Sequence, residues 1–112
     1  MKSTVSGVYG ENLAEQYLRE KKFKILHRNY RTTRYEIDII AKQKRCLYFV
    51  EVKRRSTMSQ GSGSEYVTDT KLKQMVYAAQ SWVEEQNYQG QYRLAVISVD
   101  GSNVDLIDDI WM

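Results

Sequence analysis

One cysteine, Cys46, stands in a chain of 112 residues. It excludes an internal disulfide and a cysteine-built zinc site, and it fits a reducing compartment. Histidine is as scarce: His27 is the only one, and we read it as structural. No apolar run is long enough to span a bilayer, and the amino-terminal segment lacks the apolar stretch of a signal peptide. The expectation is therefore a cytoplasmic protein with no membrane contact. A single domain over residues 1–112 is expected, large enough for one core with little to spare.

Composition is otherwise ordinary, 42% hydrophobic and 28% charged. The net charge of +3 conceals an asymmetry. Residues 19–55 hold thirteen of the seventeen Lys and Arg and only four acids, a local balance of +9. The rest of the chain carries −6, and residues 100–109 hold four acids and no base. A basic block around a few carboxylates suits a polyanion such as nucleic acid. A solvated lysine-rich face is the alternative.

The chain reads as one alternating α and β unit. A helix is expected from about Ser6 to Lys21, with Leu13, Ala14, Tyr17 and Leu18 as its apolar stripe and Glu11 on the border. A strand follows over about Phe23–Arg31. Tyr35-Glu-Ile-Asp-Ile-Ile-Ala41 and Leu47-Tyr-Phe-Val-Glu-Val-Lys53 are two further strands, joined by a polar turn near Lys44. The second has apolar residues on both faces and should be central. Residues 54–65, rich in Gly and Ser, read as a loop. Leu72, Met75, Val76, Ala79, Trp82 and Val83 follow a helical period, with Thr68 or Asp69 as cap. Strands over about Tyr92–Val99 and Val104–Ile110 flank a turn at Asp100-Gly101.

Alternation on a strand places Glu36 and Asp38 on one face and Ile37 and Ile39 on the other. It also pairs Glu51 with Lys53, and the hairpin sets Asp38 roughly across from Glu51. Carboxylates gathered in an apolar sheet are costly unless they pair or hold a metal. Mg²⁺ prefers oxygen and takes one or two carboxylates while keeping several waters. Asp38, Glu51 and the Val52 carbonyl could supply those oxygens, and Lys53 could orient a water and stabilise a transition state. Mn²⁺ would serve the same ligands. A structural salt-bridge network is the alternative for these residues, and Glu36 is as readily an arginine partner as a ligand. Arg28, Arg31, Arg34, Arg54 and Arg55 are candidate contacts to phosphates as a group. Lys71 and Lys73, in the first turn of the second helix, are further candidates.

The ordered pieces Gly10-Glu11-Asn-Leu-Ala14, Ile25-Leu-His-Arg28-Asn-Tyr-Arg31, Glu36-Ile-Asp38-Ile-Ile-Ala41, Phe49-Val-Glu51-Val-Lys53-Arg-Arg55 and Val67-Thr-Asp-Thr-Lys71 resemble the YraN family of small bacterial nuclease-like proteins. That family sits within the PD-(D/E)xK superfamily, akin to archaeal Holliday-junction resolvases. The resemblance covers about residues 7–99. It implies a restriction-endonuclease-like αβββαβ core, a mixed central sheet flanked by helices. It also implies a Mg²⁺- or Mn²⁺-dependent endonuclease acting on nucleic acid, DNA more than RNA. Carried over, Asp38 and Glu51 are metal ligands, Lys53 is the catalytic lysine and Glu11 is an outer acidic residue. Two positions depart from the family: Tyr35 stands where Gly is usual, and Ala95 where an Asp is usual in the fourth strand. Tyr35 would stack on a base or block access, whereas Ala95 should bear on structure more than chemistry. A non-catalytic nucleic-acid-binding module on the same fold is the second reading. The apolar Leu106-Ile107 and Ile110-Trp111-Met112 end suggests a homodimer.

Overall fold

The computed structural model describes residues 5–55 and 68–108, with side chains described from 8 to 54 and from 68 to 107. The elements are α1 (Val5–Glu20), β1 (Lys24–Arg31), β2 (Glu36–Gln43), β3 (Cys46–Arg55), α2 (Asp69–Glu85), β4 (Gln91–Asp100) and β5 (Asn103–Asp108). The five strands form one sheet in chain order, β1-β2-β3-β4-β5. All neighbours are antiparallel except β3 and β4. A parallel pair cannot be joined by a tight turn. The connection that contains α2 is the crossover.

The helices divide the core between the two faces of the sheet. Ala14 and Leu18 of α1 pack with Phe23, Ile39, Ala41, Val50, Ala95, Ile97 and Val99. Met75, Ala78 and Ala79 of α2 pack with Tyr30, Ile37, Ile40, Leu47, Phe49 and Leu94. β3 contributes to both cores, as a strand apolar on both faces must. Its Phe49 is wholly buried and meets Tyr92 edge to face, with centroids 5.5 Å apart. Burial of such a side chain stabilises the fold by about 1.5–3 kcal/mol. β3 runs two residues beyond the expected Lys53, because Arg54 and Arg55 still find ladder partners in Val99 and Asp100. The rest of the expected Gly/Ser loop, from 56 to 65, lies outside the described residues, as do 109–112 of the apolar end. Leu106 of that end packs against the α1-side core.

Both helix ends follow from local chemistry. Thr68 caps α2, its hydroxyl accepting the Lys71 N–H. α1 closes with Phe23 N–H donating to Leu18 O and Lys22 N–H to Arg19 O, and Lys22 sits at φ 74°. α2 closes the same way through Tyr88 to Val83 and Asn87 to Glu84, with Asn87 at φ 51°. These are Schellman closures with a non-glycine residue in the left-handed position.

One sequence expectation is overturned here. Simple alternation puts Ile37 and Ile39 on a shared face, yet Ile37 packs on the α2 side and Ile39 on the α1 side. The slip falls at Asp38. The facing strand slips too: Arg28 reaches α1 residues while Tyr30 reaches α2 residues. Between them Asn29 adopts φ 55°, a left-handed conformation that asparagine tolerates better than most residues. A register shift between Ile25 and His27 adds a further break in β1.

Candidate functional site

The β2–β3 ladder ends at Ile39–Val50. Beyond that pair the backbone N–H of Val52 is met not by a β2 carbonyl but by the Asp38 carboxylate. Oδ2 of Asp38 accepts that N–H at 2.8 Å. Asp38 is wholly buried. The slip in alternation thus turns this side chain along the sheet toward β3.

Glu51 stands on β3 next to Val50 and on the α2 side, the side of Phe49. Its carboxylate meets the Lys71 ammonium at 3.5 Å, with side-chain exposures of 15% and 31%. Lys71 occupies the first turn of α2, so the helix start is brought over the end of β3. Lys53 follows two positions on, beside Ser98 of β4 in the parallel register. It is exposed and makes no ion pair among the described residues. Ser98 itself is buried. Asp38, Glu51, Lys53 and Lys71 are therefore gathered around the carboxyl-terminal half of β3. Among the described residues no three His, Cys, Asp or Glu side chains converge tightly enough to hold a metal by themselves. Two carboxylates and a backbone carbonyl form an oxygen set of the kind that leaves water on Mg²⁺.

Glu11 is buried in α1 and is no surface helix residue. Its Oε1 accepts from Arg28 at 3.1 Å, and Arg28 also reaches Glu15 and Asn12. Arg28 thereby clamps α1 to β1. Glu15 is held below the usual carboxylate range by its bond to Arg19, against the effect of burial and with help from Arg28. Glu36 pairs with Arg31 directly across the β1–β2 ladder at 3.2 Å. Arg54 lies over the Tyr9 ring at 4.8 Å on the α1 side. Gly10 faces Arg54 and Val52 there. The Arg55 side chain lies outside the described residues. Arg34 is exposed in the turn between β1 and β2 and makes no ion pair among the described residues.

Of the basic residues singled out in the sequence, Arg28, Arg31, Arg54 and Lys71 thus have partners within the chain, whereas Arg34, Lys53 and Lys73 face solvent. The Lys71–Glu51 pair was not legible in the sequence. Only the Thr68-to-Lys71 spacing of a capped first turn hinted that Lys71 would be held in place. Ala95, in β4, is wholly buried in the α1-side core, as a structural role requires. His27 packs against Tyr30 and Trp82, and Trp82 borders the α2-side core. No helix of the described residues is long and apolar enough to cross a membrane.

Comparison with known proteins agrees with the extent of this arrangement. The chain is 40% identical over 105 residues to a UPF0102 protein of Sulfurihydrogenibium sp. (strain YO3AOP1), covering 93% of this chain and 91% of that one. It is 37% identical over 107 residues to a UPF0102 protein of Christiangramia forsetii, covering 92% and 90%. A UPF0102 protein of Vibrio campbellii is 38% identical over 99 residues, covering 86% and 81%. The matched stretch runs from Gly10 in α1 to Val99 in β4 and so takes in Glu11, Asp38, Glu51, Lys53 and Lys71; over residues 10–99 the chain belongs to uncharacterised protein family UPF0102.

Proposed function

We propose that this protein is a metal-dependent endonuclease of restriction-endonuclease-like fold, of the PD-(D/E)xK kind, that hydrolyses phosphodiester bonds of nucleic acid. The observation that carries the reading is the buried Asp38, aimed at the Val52 backbone where β2 and β3 part, with Glu51 and Lys53 on the same half of β3. A buried carboxylate at a strand divergence, beside a second carboxylate and an exposed ammonium, is more than a packing arrangement requires.

Asp38, Glu51 and the Val52 carbonyl would hold Mg²⁺ or Mn²⁺, whose chemistry there is to acidify a water and to neutralise charge building on the phosphoryl group. Lys53 places its ammonium against the same developing charge. Glu51 and a substrate phosphate compete for the Lys71 ammonium, so phosphate binding at Lys71 would release Glu51 to the metal. Glu11, tied to Arg28, keeps α1 seated behind β3 and acts on the site through that support. Arg34 and Lys73 contact the substrate backbone, and DNA is the favoured substrate.

The Lys71–Glu51 ion pair supports a second reading, a binding module in which the carboxylates serve the fold alone. Nicking assays separate the two. Supercoiled, single-stranded and branched DNA and RNA are incubated with Mg²⁺ or Mn²⁺ and wild type, Asp38→Asn or Lys53→Ala, with binding measured on the same samples. Cleavage lost in both variants while binding persists is the expected result. Binding with no cleavage of any substrate would leave the module.

A further inference from the structure

We propose that Tyr35 and Tyr77 form a stacking platform for an unpaired base, which makes single-stranded or locally unwound nucleic acid the substrate class of the candidate site. This rests on the nucleic-acid reading above and narrows it. Tyr77, on α2, is 55% exposed, the most exposed of the large apolar side chains among the described residues. Isolated exposed apolar residues need no explanation. Tyr77 is not isolated. Its ring meets that of Tyr35 with centroids 5.3 Å apart and planes at 72°. An edge-to-face pair uses one face of one ring, so aromatic surface is left for a third ring.

Tyr35 is fixed before anything binds. Its carbonyl accepts the Thr32 N–H at 2.7 Å, and its N–H donates to the Thr32 hydroxyl at 2.9 Å. The Arg34 N–H donates to that hydroxyl too, at 3.2 Å. A turn locked in this way lowers the ordering cost of binding. The other half of Tyr35 is packed against the α2-side core.

The charges around the pair suit a phosphate backbone. Arg34 precedes Tyr35, and both line a pocket of about 190 Å³ with Arg31, Thr32, Thr33 and Glu36. Lys73 lies one helical turn before Tyr77 on the same face of α2. The nearby acids Glu36 and Glu51 are each met by a cation, Arg31 and Lys71. Asp69 lies one helical turn before Lys73 and offsets its charge, so Arg34 is left as the local positive surplus beside the rings. Aromatic faces flanked by cations are what a single strand requires, because every base has a stacking face and every step a charge. A duplex keeps its bases inside and gains only the cations.

The platform also has the right place along the chain. Tyr35 precedes Asp38 on the path into β2 by roughly 10 Å of strand rise. Tyr77 follows Lys71 along α2 by roughly 9 Å of helix rise. A base held there, about two helical turns from the Lys71–Glu51 pair, sets its neighbouring phosphate beside Lys73.

The test is fluorescence anisotropy with labelled oligo(dT), oligo(U) and a blunt DNA duplex, without divalent metal, for wild type, Tyr77→Ala and Tyr77→Phe. Tyr77 is exposed, so both variants should melt like wild type. We expect Tyr77→Ala to weaken single-strand binding about tenfold and duplex binding less than about twofold. Tyr77→Phe, which keeps the ring, should bind as wild type does. Equal losses on single strand and duplex, or no loss on either, overturn the platform while leaving the nucleic-acid reading intact. A wild-type protein that binds none of the three overturns both.

Discussion

Asp38 shows how one side chain serves the fold and the proposed chemistry together. Its bond to the Val52 N–H replaces a missing ladder bond, so removal of the oxygen exposes a buried donor. Asp38→Ala should cost about 1–3 kcal/mol more than Asp38→Asn in chemical denaturation, since asparagine keeps an acceptor oxygen at the same reach. Asp38→Asn is thus the variant in which lost cleavage reports chemistry and not unfolding. Tyr30 gives a residue-scale prediction with a definite sign. Burial, and then its hydrogen bond to Glu85, push its phenol up to about 12. The folded state therefore holds this proton more tightly than the unfolded chain, whose tyrosine ionises near its ordinary value of 10.0. The contribution to stability is full below that lower value and is lost as pH rises toward about 12. Denaturation across this window should show falling stability, and Tyr30→Phe should flatten the slope.

At the scale of elements, helix ends and strand ends carry the information. Lys22 occupies a left-handed position at the close of α1, where a side chain pays a steric penalty that glycine avoids. Lys22→Gly should raise stability by about 0.5–1 kcal/mol, read as a shift in the denaturation midpoint without a change of slope. Thr68→Ala should lower it by about 1 kcal/mol through loss of the cap. It should also loosen Lys71, whose N–H the Thr68 hydroxyl holds, and so relax the Lys71–Glu51 pair. The slip in β1 and β2 has a larger consequence. With Asn29 in the left-handed region, both strands exchange faces at one level of the sheet, and Asp38 is delivered to β3 edge-on. Asn29→Val should disfavour that conformation strongly, because a β-branched residue resists positive φ. Loss of divalent-metal binding is the expected result, checked by calorimetric titration.

For the whole molecule, the sheet and its crossover decide which charges meet. If Asp38 and Glu51 bind a divalent ion, wild type should gain thermal stability with Mg²⁺ or Mn²⁺, by about 2.7 kcal/mol at a hundredfold excess over Kd. Asp38→Asn should gain far less, and an unchanged melting curve for wild type would argue against a metal centre. Element order, the two-sided apolar β3 and the periodic stripe of α2 were all written in the sequence, because strand alternation and the helical repeat follow from backbone geometry alone. The sequence also marked Asp38, Glu51 and Lys53 as candidates, because it sets charged residues in two neighbouring apolar strands, although the paired ladder stops at Ile39–Val50, one step short of Asp38. Three things were decided only by the tertiary structure. Glu11 became a buried partner of Arg28, Lys71 became the partner of Glu51, and Tyr77 came to rest on Tyr35. Each joins segments far apart in sequence, and the crossover and the packing angle of a helix on a sheet set such meetings. The face of Ile37 was lost to sequence reasoning for a related reason. Period-two alternation holds only while a strand stays regular, and both β1 and β2 change faces at one level of the sheet, between Arg28 and Tyr30 and between Ile37 and Ile39, where Asn29 is left-handed.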